Sequence, residues 1–241
     1  MRSIFRNEIA KELPSREGAW IADIPAGGGV LWHGLEKEGG WRLVFVDIRT
    51  PAEKNGLFVQ ADCKAAFPFR SDTFSLLVST EGIEHFSNPH HFASELFRIL
   101  EPGGKLLIST PNIANLSSRL QFFLRGKYAG CTLIAKTVED FSSTREYERF
   151  LCGEHVSPLS YAQLFFVLTK AGFRIFAQKG LAIKGRHYLL TPVAWAMQAM
   201  ILLGVDRLLP EQARLRRVMA RTDMLLGKHI WVSAVKPPSM K

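Results

Sequence analysis

Short apolar runs that end in acids, separated by stretches of helical spacing, set the pattern of the first 112 residues. Trp20–Ile24 is apolar apart from Asp23, and Trp41–Ile48 ends in the same way around Asp47. Leu57–Ala61 is short and closed by Asp62. Phe74–Thr80 is almost continuously apolar, the pattern of a strand buried on both faces. Lys105–Thr110 follows the stop signal Glu101-Pro102-Gly103-Gly104. Helical patterns lie between these runs. Met1–Leu13 reads as an amphipathic helix, and Val30, Leu31 and Leu35 begin a second. Asn88-Pro89 supplies an N-cap and a proline at the first helical position of a third, which carries Phe92, Leu96, Ile99 and Leu100. Strands alternating with helices predict a doubly wound parallel sheet.

The pattern loosens after Asn112. A helix is expected over Ile113–Leu124, followed by a poorly patterned stretch to about Gly153. Ser160-x-x-Gln163 is a capping box that opens a helix ending at Gly172. Phe173–Gln178 and His229–Val235 read as the last two strands, with an insertion over residues 184–228 between them. The expected organisation is one domain, its core at about 19–112, 155–180 and 229–236. Within the insertion, Tyr188–Val205 carries no charge. That length is at the lower edge for a membrane span. Thr191-Pro192 as a start, Gly204 as a stop and Gln198 in the middle argue for a shorter helix instead. Arg207, Arg214, Arg216, Arg217 and Arg221 follow, interleaved with Met219, Met224 and Leu225. An apolar helix beside an arginine-rich one suits contact with anionic lipid headgroups. A lid over a substrate pocket and a contact between chains fit the pattern equally well.

The chemistry concentrates where the first strand breaks into Gly27-Gly28-Gly29. Glycine is needed where backbone turns sharply or touches a ligand. Strand, glycine turn and helix in that order form the nucleotide corner of an open parallel sheet. Asp47, closing the second strand, is placed to accept hydrogen bonds from both ribose hydroxyls. A dinucleotide site would need G-x-G-x-x-G, but Trp32 stands where the third small residue belongs. The stretch Trp20–Gly29 instead resembles motif I of the class I S-adenosylmethionine (SAM)-dependent methyltransferases, roughly acid-x-G-x-G-x-G. Asp23 matches the acid, Gly27 and Gly29 the last two glycines, and Pro25 replaces the first. "FPFRSDTFSLLVSTEGIEHF", "FRILEPGGKLLISTPN" and "LSYAQLFFVLTKAGF" resemble the family in type and order. The resemblance implies a Rossmann-like α/β fold, a doubly wound seven-stranded sheet, mostly parallel with an antiparallel last strand. It implies SAM as cofactor, with Asp47 on the ribose and Asp62 on the adenine amino group. Pro25, Ala26, Gly27 and Gly29 would underlie the methionine part, and Thr80 would approach it.

Methyl transfer to a hydroxyl needs a base or a metal ion to help a weak nucleophile. Glu81, Glu84 and His85 follow the fourth strand, and on a helix these positions would share one face. The E-x-x-E-H pattern resembles that of methyltransferases whose O-methylation depends on a divalent metal, in which a distant histidine completes the site. His155 occupies the matching place. The resemblance thus implies a metal set of Glu81, Glu84, His85 and His155 for Mg²⁺, Mn²⁺ or Zn²⁺. A metal-free catalytic role for Glu84 and His85 and a packed structural histidine stay open beside it. His90 and His91 read as surface residues.

Composition narrows the partners. The 241 residues are 47% hydrophobic and 22% charged, with a net charge of +9. That charge is uneven, at −2 over residues 1–114 and +11 over 115–241. The basic half suggests an anionic substrate, membrane surface or nucleic acid. Three cysteines (Cys63, Cys131 and Cys152), odd in number and without a C-x-x-C pair, point to a reducing compartment. The N-terminus has no apolar core of signal-peptide length. The expected location is cytoplasmic, with peripheral contact at the inner membrane face. The expected activity is O-methylation of a small, lipid-linked or saccharide-linked acceptor. An RNA 2′-O-methyltransferase is the alternative, weakened by the lack of an RNA-binding module. A non-catalytic SAM-binding protein is the third reading.

Overall fold

Seven strands lie in one sheet: β1 (Trp20–Asp23), β2 (Arg42–Asp47), β3 (Leu57–Gln60), β4 (Phe74–Thr80), β5 (Leu100–Pro111), β6 (Arg174–Leu181) and β7 (His229–Val235). The computed structural model describes residues 2–33, 35, 40–49, 56–128, 138–144, 154–183, 185–203 and 210–238. The strand order is β3-β2-β1-β4-β5-β7-β6. The first five strands pair in parallel, and β7 is antiparallel to both β5 and β6. The Rossmann-like arrangement expected from the sequence is thus present, antiparallel last strand included. From β1 the chain steps outward to β2 and β3, then returns to place β4 on the other side of β1. That reversal opens a crevice at the carboxyl ends of β1 and β4.

The described helices are α1 (Arg2–Ala10), α2 (Pro89–Ile99), α3 (Leu116–Arg125), α4 (Tyr161–Ala171), α5 (Thr191–Leu202), α6 (Pro210–Met219) and α7 (Thr222–Leu226). On one face of the sheet, Phe92, Leu96 and Ile99 of α2 and Leu164, Val167 and Leu168 of α4 pack over Leu77, Leu106 and Ile108. On the other, Phe5 and Ile9 of α1 pack with Ile21, Trp32, Leu107 and Trp231. Local signals set the helix ends. Asn88 accepts from the His91 amide, Ser160 and Gln163 form the expected reciprocal box, and Gly172 stops α4 in a left-handed conformation.

Three elements depart from the sequence pattern. Where a helix is expected from Val30, the described residues form a 3-10 turn, Val30–Trp32, with Trp32 buried and hydrogen-bonded to Asp23. Glu101–Gly104 does not stand before β5 but bulges within it, since Leu100 pairs with Phe74 and Lys105 with Leu76. Glycine at 103, with φ of 83°, permits this bulge in the ladder. The helix expected from Ile113 starts at Leu116, where the Asn115 side chain accepts from the Ser118 amide.

The insertion opens with a 3-10 segment, Gly185–Leu190, before α5, α6 and α7. Thr191 and Pro192 fall in the first turn of α5 as expected, but Leu190 is the cap and no side chain bonds there. Gly204 and Arg207 lie outside the described residues. The insertion is seated by α7, whose Asp223 backbone touches β6 so closely that a Cβ on Gly180 would stand 1.9 Å from the Asp223 carbonyl oxygen. A small cluster joins Leu116 of α3, Ala194 of α5, and Leu225 and Leu226. No helix among the described residues is long and apolar enough to cross a membrane.

Candidate active site

A crevice of about 640 Å³ lies at the reversal point of the sheet. Pro25, Ala26, Gly27 and Gly28 form one wall, Asp47 and Asp62 a second, and Thr80, Glu81 and His85 the far end. Gly27 has φ of 56°, a conformation glycine adopts without strain. A Cβ there would meet no protein atom within 4 Å, although the residue lines the crevice. The turn therefore leaves room for a ligand against bare backbone. Gly82, beneath the far end, has a different constraint, because a Cβ on it would fall 2.4 Å from Cδ of Pro25.

Asp47 ties the corner together. One carboxylate oxygen accepts from the Gly27 amide at 2.8 Å and the other from the Arg49 amide at 2.9 Å. Each oxygen keeps a lone pair, which is what a ribose diol needs. Asp62 accepts from the Lys64 amide and faces the same space.

Asp23 and Gly29 do not line the crevice. Asp23 is buried and takes the indole N–H of Trp32 at 3.0 Å, while its other oxygen has no partner. Burial pushes its carboxyl up to about 7, with the nearby Asp47 charge adding to the effect. The acid of the motif thus braces the turn from below. Gly29, at φ of 66°, is needed because a side chain would press on the Phe45 ring. Cys63 also borders the crevice, but burial raises its thiol to about 12 and keeps it protonated. Cys131 and Cys152 lie outside the described residues.

At the far end, the acids and histidines sort into two groups. Glu84 is fully buried. Oε2 accepts from the Thr110 hydroxyl at 3.0 Å, and Oε1 is buried with no partner. Burial holds this carboxyl well above the usual carboxylate range, and the Glu81 charge adds to the shift. Two hydrogen bonds bring the distant 154–157 segment to it. The ring Nδ1 of His85 lies 2.9 Å from the Glu154 carbonyl, and the Ser157 amide donates to the Glu84 carbonyl. A carbonyl only accepts, so Nδ1 of His85 carries a proton, and in the neutral ring Nε2 is the acceptor. His155 stacks edgewise on His85 at 4.9 Å between centroids, with Nε2 4.0 Å from Oε1 of Glu84. One ligand atom from each of Glu84, His85 and His155 lies within 4.8 Å of the others.

Glu81, expected in the same set, is not part of it. The stretch is a short 3-10 turn rather than an α-helix, and Glu81 precedes it with φ of 52°. Its carboxylate is thereby turned towards β5 and β7, where Ser109 donates to Oε1 at 2.9 Å and Nδ1 of His229 lies 2.8 Å from Oε2. A non-glycine residue held in the left-handed region marks stored strain, which concentrates at functional positions. Sequence reasoning missed His229 and Phe5. His229 is buried with Nε2 unpartnered, edge-on to Phe5, which itself lines the crevice. The signal was a histidine opening an otherwise apolar strand. His90 and His91 are half-buried rather than free on the surface, and His90 packs edgewise on Phe166.

Comparison with known proteins identifies the family and the fold. A family described as a methyltransferase domain matches residues 2–178. A ubiquinone/menaquinone biosynthesis C-methyltransferase from Ruegeria sp. is 25% identical over 118 residues, 44% of this chain and 47% of that protein. A ubiquinone biosynthesis O-methyltransferase from Coxiella burnetii is 25% identical over 135 residues, 52% of this chain and 57% of that protein. The chain thus spans about half the length of the curated relatives it matches. Among solved structures, a SAM-dependent methyltransferase from Archaeoglobus fulgidus superposes with a TM-score of 0.59 at 14% identity, over 98% of this chain and 95% of that one.

Proposed function

The chain belongs to the methyltransferase-domain family, and from that premise we propose that it methylates a hydroxyl group on a small, lipid-linked or saccharide-linked acceptor, using SAM. The observation that carries the reading is the crevice itself, with bare glycine backbone on one wall, a carboxylate with spare lone pairs on another, and a histidine at the far end. When bound, SAM supplies an electrophilic methyl group on a sulfonium. Asp47 holds the ribose hydroxyls, Asp62 the adenine amino group, and Pro25, Ala26 and Gly27 the backbone floor. Phe5 and Phe86 line the crevice with apolar surface. His85, its Nδ1 proton held by Glu154, takes the acceptor proton at Nε2, and positioning supplies most of the rest.

The Glu84 oxygen that lacks a hydrogen bond favours a second reading, in which Glu84, His85 and His155 hold a divalent ion; Nε2 of His85 would then bind the ion, and the ion rather than the imidazole would activate the acceptor. Ligand atoms up to 4.8 Å apart would have to draw together, since metal bonds of about 2.1 Å bring neighbouring ligands nearer than that. One oxygen and two nitrogens suit Zn²⁺ or Mn²⁺ better than Mg²⁺. The ion would lower the pKa of an acceptor hydroxyl. The relatives named for ubiquinone biosynthesis, one a C-methyltransferase and one an O-methyltransferase, support methylation of a small molecule. RNA is the weaker reading, because among the described residues that line the crevice the lysines and arginines are Arg49 and Lys64 alone.

Isothermal titration with SAM tests the cofactor site. Asp47→Asn sets an amide donor against one of the two backbone N–H donors and removes the charge, and is expected to weaken binding about a hundredfold. His85→Ala keeps SAM affinity but loses turnover, measured as labelled methyl entering a lipid extract, by about a hundredfold or more. Unchanged affinity in the first variant removes Asp47 from the site, and unchanged turnover in the second removes His85. Chelation followed by Mn²⁺ or Zn²⁺ restores activity if an ion is held, and leaves it untouched if His85 works alone.

A further inference from the structure

β6 runs parallel to β5, so Leu181 at its end and His229 at the start of β7 sit level with Pro111, at the crevice edge of the sheet. Both α3 and the insertion leave the sheet from that edge. On α3, Leu116 is buried in the small cluster, but the same stripe runs on through Leu120, Phe123 and Leu124, all exposed. Phe123 is 84% exposed. On α5, Ala194, Met197 and Ile201 face the cluster, while Val193, Trp195, Met200 and Leu203 point outward. Leu189, just before that helix, is 82% exposed and Trp195 is 62% exposed. A helix that is apolar all round is ordinarily buried all round. Two such uncovered faces standing on one cluster exceed what scattered surface leucines explain.

The charges around these faces identify the occupant. Arg119 and Arg125 are exposed on α3, and Lys228 is exposed beside β7. A second copy of the chain would bring the same cations against them, and like charges would oppose the pairing. Nucleic acid would meet the arginines and stack on Trp195 or Phe123, but it would leave the larger aliphatic area of Leu120, Leu124, Leu189, Met200 and Leu203 uncovered. A bilayer with anionic headgroups satisfies both features, since it takes up tryptophan, phenylalanine and leucine at the acyl boundary and attracts arginine above it. We propose that α3 and the 185–203 segment form a docking surface for an anionic membrane, which sets the crevice mouth against the bilayer. The inference deepens the methyltransferase reading and rests on it for the acceptor, which would then reach the site from the lipid phase.

Co-sedimentation of the full chain with vesicles tests it, using phosphatidylcholine alone and an equal mixture with phosphatidylglycerol. The chain should pellet with the mixed vesicles and not with the neutral ones. Trp195→Glu should weaken the partition about tenfold or more, and Arg125→Gln about fivefold, the share of one interfacial cation. Both variants should keep the wild-type SAM affinity. Failure to pellet with the anionic vesicles overturns the docking surface, and so does binding indifferent to Trp195→Glu. A dimer in solution that Trp195→Glu dissolves would assign the face to a second copy instead. Binding to single-stranded RNA that competes with the vesicles and survives Trp195→Glu would assign it to nucleic acid. SAM titration separates the two readings, because loss of vesicle binding with intact SAM binding sinks the docking alone, and the reverse result sinks the methyltransferase reading.

Discussion

The two ends of the sheet use their residues in opposite ways. From β3 to β4 the protein is nearly neutral, and its distinctive residues point inward. Trp32 is buried against Asp23, Asp47 binds the glycine turn, and Glu84 is sealed beneath the crevice. Beyond β5 the chain is strongly basic, and its distinctive residues point outward, with Trp195, Leu189 and Phe123 in solvent. A ligand recognised by backbone leaves its mark in a few residues that admit no substitute. A partner recognised by area leaves its mark only in how much apolar and basic surface is exposed. The two ends meet at Glu81, whose carboxylate reaches from the crevice to His229 at the start of β7.

The sharpest way to separate the two ends is to unseat the insertion without touching the crevice. Gly180→Ala drives a methyl group against the Asp223 backbone, which cannot move as a flexible side chain would. The expected loss of stability is about 4–5 kcal/mol, at the upper end for a single substitution, read from urea unfolding. The fraction still folded should bind SAM as the wild type does. If SAM affinity falls in step with stability, the insertion is part of the cofactor site and the division between the ends is wrong.

Much of the crevice end was legible because strands, turn and acids recur at short range. Asp47, Asp62, Gly27 and Thr80 stand where the pattern puts them, and the capping box at Ser160 forms as written. Two features escaped for local reasons. Trp32 falls inside the helical pattern that starts at Val30, but its indole bonds a buried carboxylate and the described backbone there is a 3-10 turn. Glu81 fits a shared helical face only if an α-helix follows β4; the backbone instead turns left-handed and redirects the carboxylate. The partnership of Glu81 with His229 joins residues 148 positions apart. No spacing rule spans that interval.

A second expected effect, smaller and dependent on pH, tests whether Asp23 serves the fold or the ligand. Its carboxyl is raised from 3.8 to about 7 by burial, so between those values the folded chain holds a proton that the unfolded chain has released. Stability should therefore fall as pH rises from about 4 to about 7, by up to about 4 kcal/mol. Thermal melts across that range should show the decline in the wild type and a flatter profile in Asp23→Asn, which carries no charge to bury. A slope that survives in Asp23→Asn would assign it to another group. SAM affinity in that variant should stay within a few-fold of the wild type, because Asp23 does not line the crevice.

The smallest expected change concerns a tryptophan. Trp231 is fully buried on β7, stacked with Phe5, and its removal to alanine should cost about 3–5 kcal/mol through lost burial and the cavity left behind. Trp195 has the same side chain on a helix whose inner face is packed, but it points away from that face. Truncating it to alanine removes no core contact and improves helix propensity slightly, so stability should change by less than about 0.5 kcal/mol. Equal losses in the two variants would mean that Trp195 is sheltered in solution, and the outward-facing character of this end would be wrong. A near-zero loss leaves a large apolar side chain that does nothing for the fold, a feature that a docking surface explains and stability does not.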